Sequence, residues 1–290
     1  MNRQREQMDR RVDFIGLGVQ KAATSWIFEC LRAHPEIRGP VGVVNKELHF
    51  FNRNYYRGYL WYHRRFEFGD WKTGEYSTLY FPDANCPERI YRYNPEVKLL
   101  LSLRNPIERA FSQHRHEIMQ NHLPPEFYPF EKALPQNPSY LEQGKYASHL
   151  ERFLQFFPRR SLHIILFDDI MTDPQNCLRQ IYKFLAVDET FSPPVMSKKQ
   201  NVSQTFRSHG VERVVRTSSK MLRTWVGDSV VEGLKATKVP GLLKRLNAVK
   251  IDDSVVPRIS PEMRQHLREL FADEIARLSE LIGRDLSHWN

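Results

Sequence analysis

Three short stretches carry residue types that can act together on an anion and a hydroxyl. The first is Gly16-Leu17-Gly18-Val19-Gln20-Lys21-Ala22-Ala23-Thr24-Ser25. There a lysine stands among small residues, and backbone N–H groups, a helix N-terminus and an ammonium aimed at one point suit a phosphate or sulfate. The second is Lys46-Glu47-Leu48-His49. A carboxylate beside an imidazole can take a proton from a hydroxyl, and Glu47 and His49 share one side if the chain is extended. The third runs from Arg104-Asn105-Pro106 to Ser112. Asn105 suits a helix cap and Pro106 the first helical position. Ser112 then lies two turns in, so that it and Arg104 can converge on one anion.

The elements that must position these residues follow from the hydrophobic pattern. Val12 to Val19 and Val97 to Leu103 are apolar nearly throughout, as in strands buried on both faces of a parallel sheet, and Ser161 to Phe167 is a third such run. A helix follows the lysine loop, with Thr24 or Ser25 at its cap and Trp26, Ile27, Cys30 and Leu31 on one apolar face. Further helices are expected from Gly144-Lys145-Tyr146-Ala147-Ser148 to Phe157, from Asp173-Pro174 to Leu185, and after Ser260-Pro261 up to Gly283. Residues 121–145, rich in Pro, Asn and Gln, read as a loop. Asp168 and Asp169 read as structural caps. Strands alternating with helices give an α/β fold with a parallel sheet.

The lysine loop is not a Walker A motif, in which Lys follows the glycines and Ser or Thr follows Lys. Nor is it a dinucleotide fingerprint, which needs a third glycine where Lys21 stands. Taken alone, it also fits an ordinary strand–helix turn. His114 and His116 point different ways on a helix, so with His122 they make a poor metal set.

Taken together, the three stretches resemble the motifs of sulfotransferases that use 3′-phosphoadenosine 5′-phosphosulfate (PAPS). The lysine loop resembles their 5′-phosphosulfate loop. Lys46 to Phe51 resembles Lys-Glu-x-His-[Phe/Tyr]-Phe, in which the glutamate is the proposed base, and Arg104 to Ser112 matches Arg-[Asp/Asn]-Pro-x-x-Arg-x-x-Ser, the 3′-phosphate motif. Gly74-Glu75-Tyr76-Ser77-Thr78-Leu79-Tyr80 is similar to Gly-Glu-x-[Ser/Thr]-Pro-x-Tyr, but a residue of the pair Thr78-Leu79 replaces proline.

The resemblance covers about residues 12–204 and 259–289 and implies one P-loop-like sulfotransferase domain. It implies that Lys21 neutralises charge on the leaving 3′,5′-ADP and that Ala22, Ala23, Thr24, Ser25 and Trp26 hold the 5′-phosphate. Arg104 and Ser112 would hold the 3′-phosphate, and Glu47 would take the acceptor proton, with His49 orienting it or itself serving as the base. A basic loop, Ser197 to Ser203, with Lys199, would close over the cofactor. No metal is implied, and a sulfuryl group would pass from PAPS to a hydroxyl or amine of a small-molecule, carbohydrate or carrier-bound acceptor.

Of 290 residues, 41% are hydrophobic and 27% charged, an ordinary globular composition. No apolar run approaches a membrane span. The start has no apolar signal region, so a soluble cytoplasmic protein is expected. Three scattered cysteines argue against a disulfide framework. The formal charge of +9 is concentrated in residues 205–250, where ten Lys or Arg face three acidic residues. Such a segment attracts anionic partners, and residues 205–258 are expected to form short helices covering the acceptor site. Two rival readings are a P-loop-like kinase or nucleotidase, and a basic protein that grips nucleic acid or membrane through 205–250.

Overall fold

Five strands pair in the order β2-β3-β1-β4-β5, every pair parallel. They are β1 (Phe14–Gly18), β2 (Ile37–Arg38), β3 (Lys72–Tyr76), β4 (Lys98–Leu103) and β5 (Leu162–Leu166). This computed structural model describes residues 10–42, 45–197 and 256–290, with two short antiparallel backbone strands, Thr205–Phe206 and Ala248–Val249, between the last two ranges. Lys199 and most of the basic segment 205–258 lie outside the described residues.

The chain divides into two compact units, one of Met1–Ala110, Ser139–Gln200 and Arg264–Asn290, the other of Phe111–Pro138 and Asn201–Met263. The first unit holds the sheet. Its buried strands are apolar as expected: Leu99, Leu100, Leu101 and Leu103 are all fully buried. Each such side chain contributes roughly 1.5–3 kcal/mol through burial. The chain leaves β1 for β2 and β3 on one side and returns to β4 on the other. The crevice between β1 and β4, at the carboxyl ends of the strands, is therefore the switch point where ligands bind in open α/β sheets.

The helices used below are α1 (Thr24–Ala33), α2 (Cys86–Tyr93), α3 (Pro106–Met119), α4 (Tyr146–Leu154), α5 (Pro174–Leu185) and α6 (Pro261–Ile282). Trp26, Ile27, Cys30 and Leu31 of α1 pack with Leu178, Ile181 and Leu185 of α5 on one face of the sheet. Burial pushes the Cys30 and Cys177 thiols up to about 12, as befits inert core thiols. Asp173 caps α5 by accepting from Asn176 N at 2.9 Å, and Ser260 caps α6 by accepting from Met263 N at 3.2 Å. Residues 121–145 do not form a plain loop. They hold short helical turns at Pro125–Phe127, Phe130–Ala133, Leu134–Gln136 and Ser139–Glu142, too brief to show a period in the sequence. Leu267, Phe271, Ile275 and Leu278 form the buried face of α6, and Leu270 is exposed.

Around β3 the packing is tightest. Gly16 lets the Tyr76 ring lie on β1, since a Cβ there would stand 2.2 Å from the ring. Glu75, also on β3, is fully buried and accepts from three hydroxyls: Tyr62 and Tyr80 on Oε1 and Ser77 on Oε2, each at 2.8 Å. Two of those hydroxyls accept in turn from the motif segment, Ser77 from His49 N at 3.0 Å and Tyr80 from Phe50 N at 2.7 Å. Each N–H turns the hydroxyl's own proton toward the carboxylate. Burial raises the Glu75 pKa from its ordinary 4.5 to about 7, while the three hydroxyls pull it back.

The folded state holds the Glu75 proton more tightly than the unfolded chain does. Its stabilising contribution is complete below about pH 4.5 and is lost as pH rises through about 7. Subtracting the stability of Glu75→Gln from that of the parent, by chemical denaturation across this range, should give a difference that changes by up to about 3 kcal/mol. Parallel curves would mean that Glu75 stays ionised in the fold.

Candidate active site

The lysine loop follows β1 and turns directly into α1. Val19 N donates to Ser102 O of β4 at 2.8 Å, and the Ser102 hydroxyl makes a short bond to Ala22 O. The Arg104 guanidinium reaches Lys21 O at 3.3 Å. The end of β4 therefore holds the loop at three points. Lys21 and Ala23 sit in the left-handed region, with φ of 70° and 59°, at a cost of about 1–2 kcal/mol each for a residue with a Cβ. Such strain persists where the surroundings fix it and clusters at functional sites.

The cap of α1 differs from the sequence expectation. Ala23, in place of Thr24 or Ser25, is the N-cap, and it offers no side-chain hydrogen bond; Thr24 is the first helical residue. The first turn carries no acidic residue. Its first backbone bond is from Ile27 N to Ala23 O at 3.1 Å. The N–H groups of Thr24, Ser25 and Trp26 consequently point out of the helix end, beside the Lys21 backbone. No carboxylate in this turn competes with an incoming anion, and the dipole favours one. Trp26 is mostly core, packed under the loop, and donates weakly to Met196 O at 3.5 Å.

Arg104 leaves β4 at the same end of the sheet. Its guanidinium lies 4.5 Å over the Phe167 ring, and its carbonyl accepts from Tyr146 OH at 2.9 Å. Asn105 caps α3 as expected, accepting from Ile107 N at 3.0 Å, while its amide holds Trp289 O at 2.8 Å. Asp168 accepts from the Trp289 indole at 2.9 Å and Asp169 pairs with Arg284 at 2.9 Å, so these carboxylates anchor the final residues. The motif's second arginine, Arg109, is fully buried and donates to Tyr140 O at 2.6 Å, a structural role. Ser112 is half-buried on α3, in the second unit. Lys199 lies outside the described residues.

Glu47 and His49 meet, but not in an extended chain. Both have left-handed backbones, φ 58° and 50°. Glu47 N pairs with Tyr76 O at 2.9 Å, which lays the segment against the end of β3, and Arg89 of α2 holds its far end through Phe51 O at 2.8 Å. On the Glu47 carboxylate, Oε1 accepts from Lys46 Nζ at 2.7 Å. Oε2 accepts from Thr78 N at 2.8 Å and Thr78 Oγ1 at 3.1 Å, and lies 3.5 Å from His49 Nε2. Burial holds the His49 pKa below its ordinary value; the Glu47 charge works against this, and Arg53 and Lys46 reinforce it. Such an imidazole is neutral near pH 7. A half-buried carboxylate with oriented donors and a neutral imidazole beside it can accept a proton from a hydroxyl.

The two halves touch through the end of β3. Tyr76 OH donates to Gly18 O at 3.3 Å, and Lys46 Nζ lies 5.7 Å from the Tyr76 ring centre. Lys46, Ser77, Thr78 and Phe167 were not among the candidate residues read from sequence. Lys46 carried a signal in its place beside Glu47, and Ser77 and Thr78 in the Gly74–Tyr80 motif; Phe167 carried none. Among the described residues no group of three or more His, Cys, Asp or Glu is placed to hold a metal, and His114 bonds Tyr128 O at 2.8 Å. No helix among them is long and apolar enough to cross a membrane.

The family model for the sulfotransferase domain matches residues 11–228. That range takes in all three motifs and the start of the basic segment, for which the motif resemblance offered no counterpart. Heparan sulfate glucosamine 3-O-sulfotransferase 5 of Mus musculus is 34% identical over 183 residues, 58% of this chain and 51% of that protein. Bifunctional heparan sulfate N-deacetylase/N-sulfotransferase 3 of Homo sapiens is 34% identical over 199 residues, 62% of this chain and 23% of that protein. The chain thus spans about half, or less, of the length of these relatives. A sulfotransferase from Alicyclobacillus acidocaldarius superposes with a TM-score of 0.68 at 26% identity, covering 97% of this chain and 99% of that one. With the phosphosulfate-type loop, the Lys-Glu-x-His segment and the Arg-Asn-Pro motif at one end of a parallel sheet, the chain belongs to the PAPS-dependent sulfotransferase family.

Proposed function

We propose that the protein moves a sulfuryl group from PAPS to a hydroxyl of a carbohydrate acceptor, with Glu47 as the base. The observation that carries this reading is the Glu47 carboxylate. It is held by Lys46 and Thr78 at the end of β3, the strand end that also contacts the lysine loop through Gly18. PAPS supplies the sulfuryl group. The N–H groups from Ala22 to Trp26 bind its 5′-phosphate at the α1 N-terminus. Lys21 offsets negative charge growing toward the leaving 3′,5′-ADP. Arg104, held by Phe167 and Tyr146, binds the 3′-phosphate; Ser112 is assigned to that phosphate on the motif alone. Glu47 takes the hydroxyl proton and neutral His49 orients the group. As in phosphoryl transfer, positioning and charge carry most of the catalysis.

A carbohydrate acceptor is supported by the relatives, named for heparan sulfate, and by the rings after the base. Tyr55 and Tyr59 lie near the surface, and Arg57 and Arg65 stack on Trp61. Such rings and guanidinium groups suit sugars that bear anionic groups. Incubation with PAPS and heparan sulfate, read by mass spectrometry for a sulfated product and by 3′,5′-ADP release, tests the reaction. Absence of both products with heparan sulfate would reject that acceptor. Absence across a panel of sugar, phenol and alkyl hydroxyls would reject the reaction.

Two variants test the roles. Glu47→Gln keeps the shape but removes the proton acceptor, so kcat should fall by ~10²–10⁴ while 3′,5′-ADP affinity survives. An active Glu47→Gln beside an inactive His49→Ala would reverse the two roles. Arg104→Ala should weaken 3′,5′-ADP binding by ~1.5–3 kcal/mol and leave 5′-AMP nearly unaffected. Equal losses for the two nucleotides would mean that Arg104 does not read the 3′-phosphate.

A further inference from the structure

We propose that Thr78 is a positioning residue for the base, replacing by two hydrogen bonds what the family pattern fills with proline. The proposal rests on the reading of Glu47 as the base. In the pattern Gly-Glu-x-[Ser/Thr]-Pro-x-Tyr, matched from Gly74 to Tyr80, Thr78 stands at the proline. Proline has no N–H and no hydroxyl. Thr78 uses both groups on one atom: its N–H reaches Glu47 Oε2 at 2.8 Å and its hydroxyl reaches the same oxygen at 3.1 Å.

Thr78 is only 4% exposed, so neither donor has ready access to water, and a buried donor left without a partner is costly. On its other side, Thr78 O abuts Gly18 of the lysine loop so closely that a Cβ on Gly18 would stand 2.6 Å from it. One residue thus sets the distance between the loop and the base. A carboxylate oxygen has two lone pairs. Thr78 gives Oε2 two donors, with His49 Nε2 3.5 Å from the same oxygen, whereas among the described residues Oε1 has one donor, Lys46 Nζ. Oε1 is therefore the atom that receives the acceptor's proton. The three donors together also offset the left-handed backbone of Glu47, φ 58°.

The test is a double-mutant cycle between Thr78→Val, which keeps the shape and the N–H but loses the hydroxyl, and Glu47→Gln. Turnover is read as 3′,5′-ADP release from PAPS, with heparan sulfate and with water alone as acceptor, so the comparison does not hang on one acceptor. Thr78→Val should lower kcat roughly tenfold, as for one hydrogen bond to a charged group, with KM and 3′,5′-ADP affinity unchanged. Thr78→Ser should restore turnover. On a Glu47→Gln background Thr78→Val should cost nothing further, because it acts only through that carboxylate. An equal loss on both backgrounds, with Glu47→Gln itself impaired, would overturn the positioning role and leave the base in place. A Glu47→Gln protein with parental turnover would overturn both.

Discussion

The site depends on a buried carboxylate that takes no part in the chemistry. Glu75 lies in the middle of the sheet with no exposed surface. Leaving such a group without partners would cost several kcal/mol. Tyr62, Ser77 and Tyr80 all donate to it, and Ser77 and Tyr80 accept from the backbone of His49 and Phe50. The hydrogen bonds of one buried carboxyl group are thereby spread over five residues of three chain segments. That network pins a segment whose Glu47 and His49 both adopt left-handed backbones. Without it, the two strained residues would relax and their side chains would separate.

The opposite strategy shapes the anion end of the site. Where the Glu47 carboxylate is held by added donors, the α1 N-terminus is left bare: no side-chain cap, no first-turn carboxylate, and small residues at Ala22 and Ala23. What that turn leaves unbonded within the helix is its first backbone N–H groups, next to the Lys21 backbone in the chain. The loop is kept in place from behind by β4, through Ser102 and Arg104. Arg104, the residue proposed for the 3′-phosphate, thus also holds the loop proposed for the 5′-phosphate. The carboxyl ends of β1, β3 and β4 each contribute one part, as the switch point of a parallel sheet allows.

The elements that the sequence made legible are those written in short-range pattern. The runs at Val12–Val19 and Val97–Leu103 became β1 and β4, Asn105 and Asp173 became caps, and Trp26, Ile27, Cys30 and Leu31 were buried as one face. Missing from that reading were features with no periodic signature. Glu47 and His49 were expected on an extended segment, because backbone twist imposed by Tyr76 O and Ser77 leaves no trace in residue type. The cap of α1 fell on Ala23, against the usual preference for Ser or Thr, where the left-handed turn of the loop ends. Thr78 looked like a departure from a motif, and its meaning appears only with Glu47 in view. The helical turns within 121–145 are too short for a 3.6-residue period to register.

The central claim is that the crevice between β1 and β4 recognises a nucleotide phosphorylated at both its 3′ and 5′ positions. Calorimetric titration with 3′,5′-ADP and with 5′-AMP, at the same ionic strength, addresses it without any knowledge of the acceptor. The account predicts that 3′,5′-ADP binds at least roughly tenfold more tightly, the worth of one charge-assisted contact from Arg104. Indistinguishable affinities, or tighter binding of 5′-AMP, would contradict it.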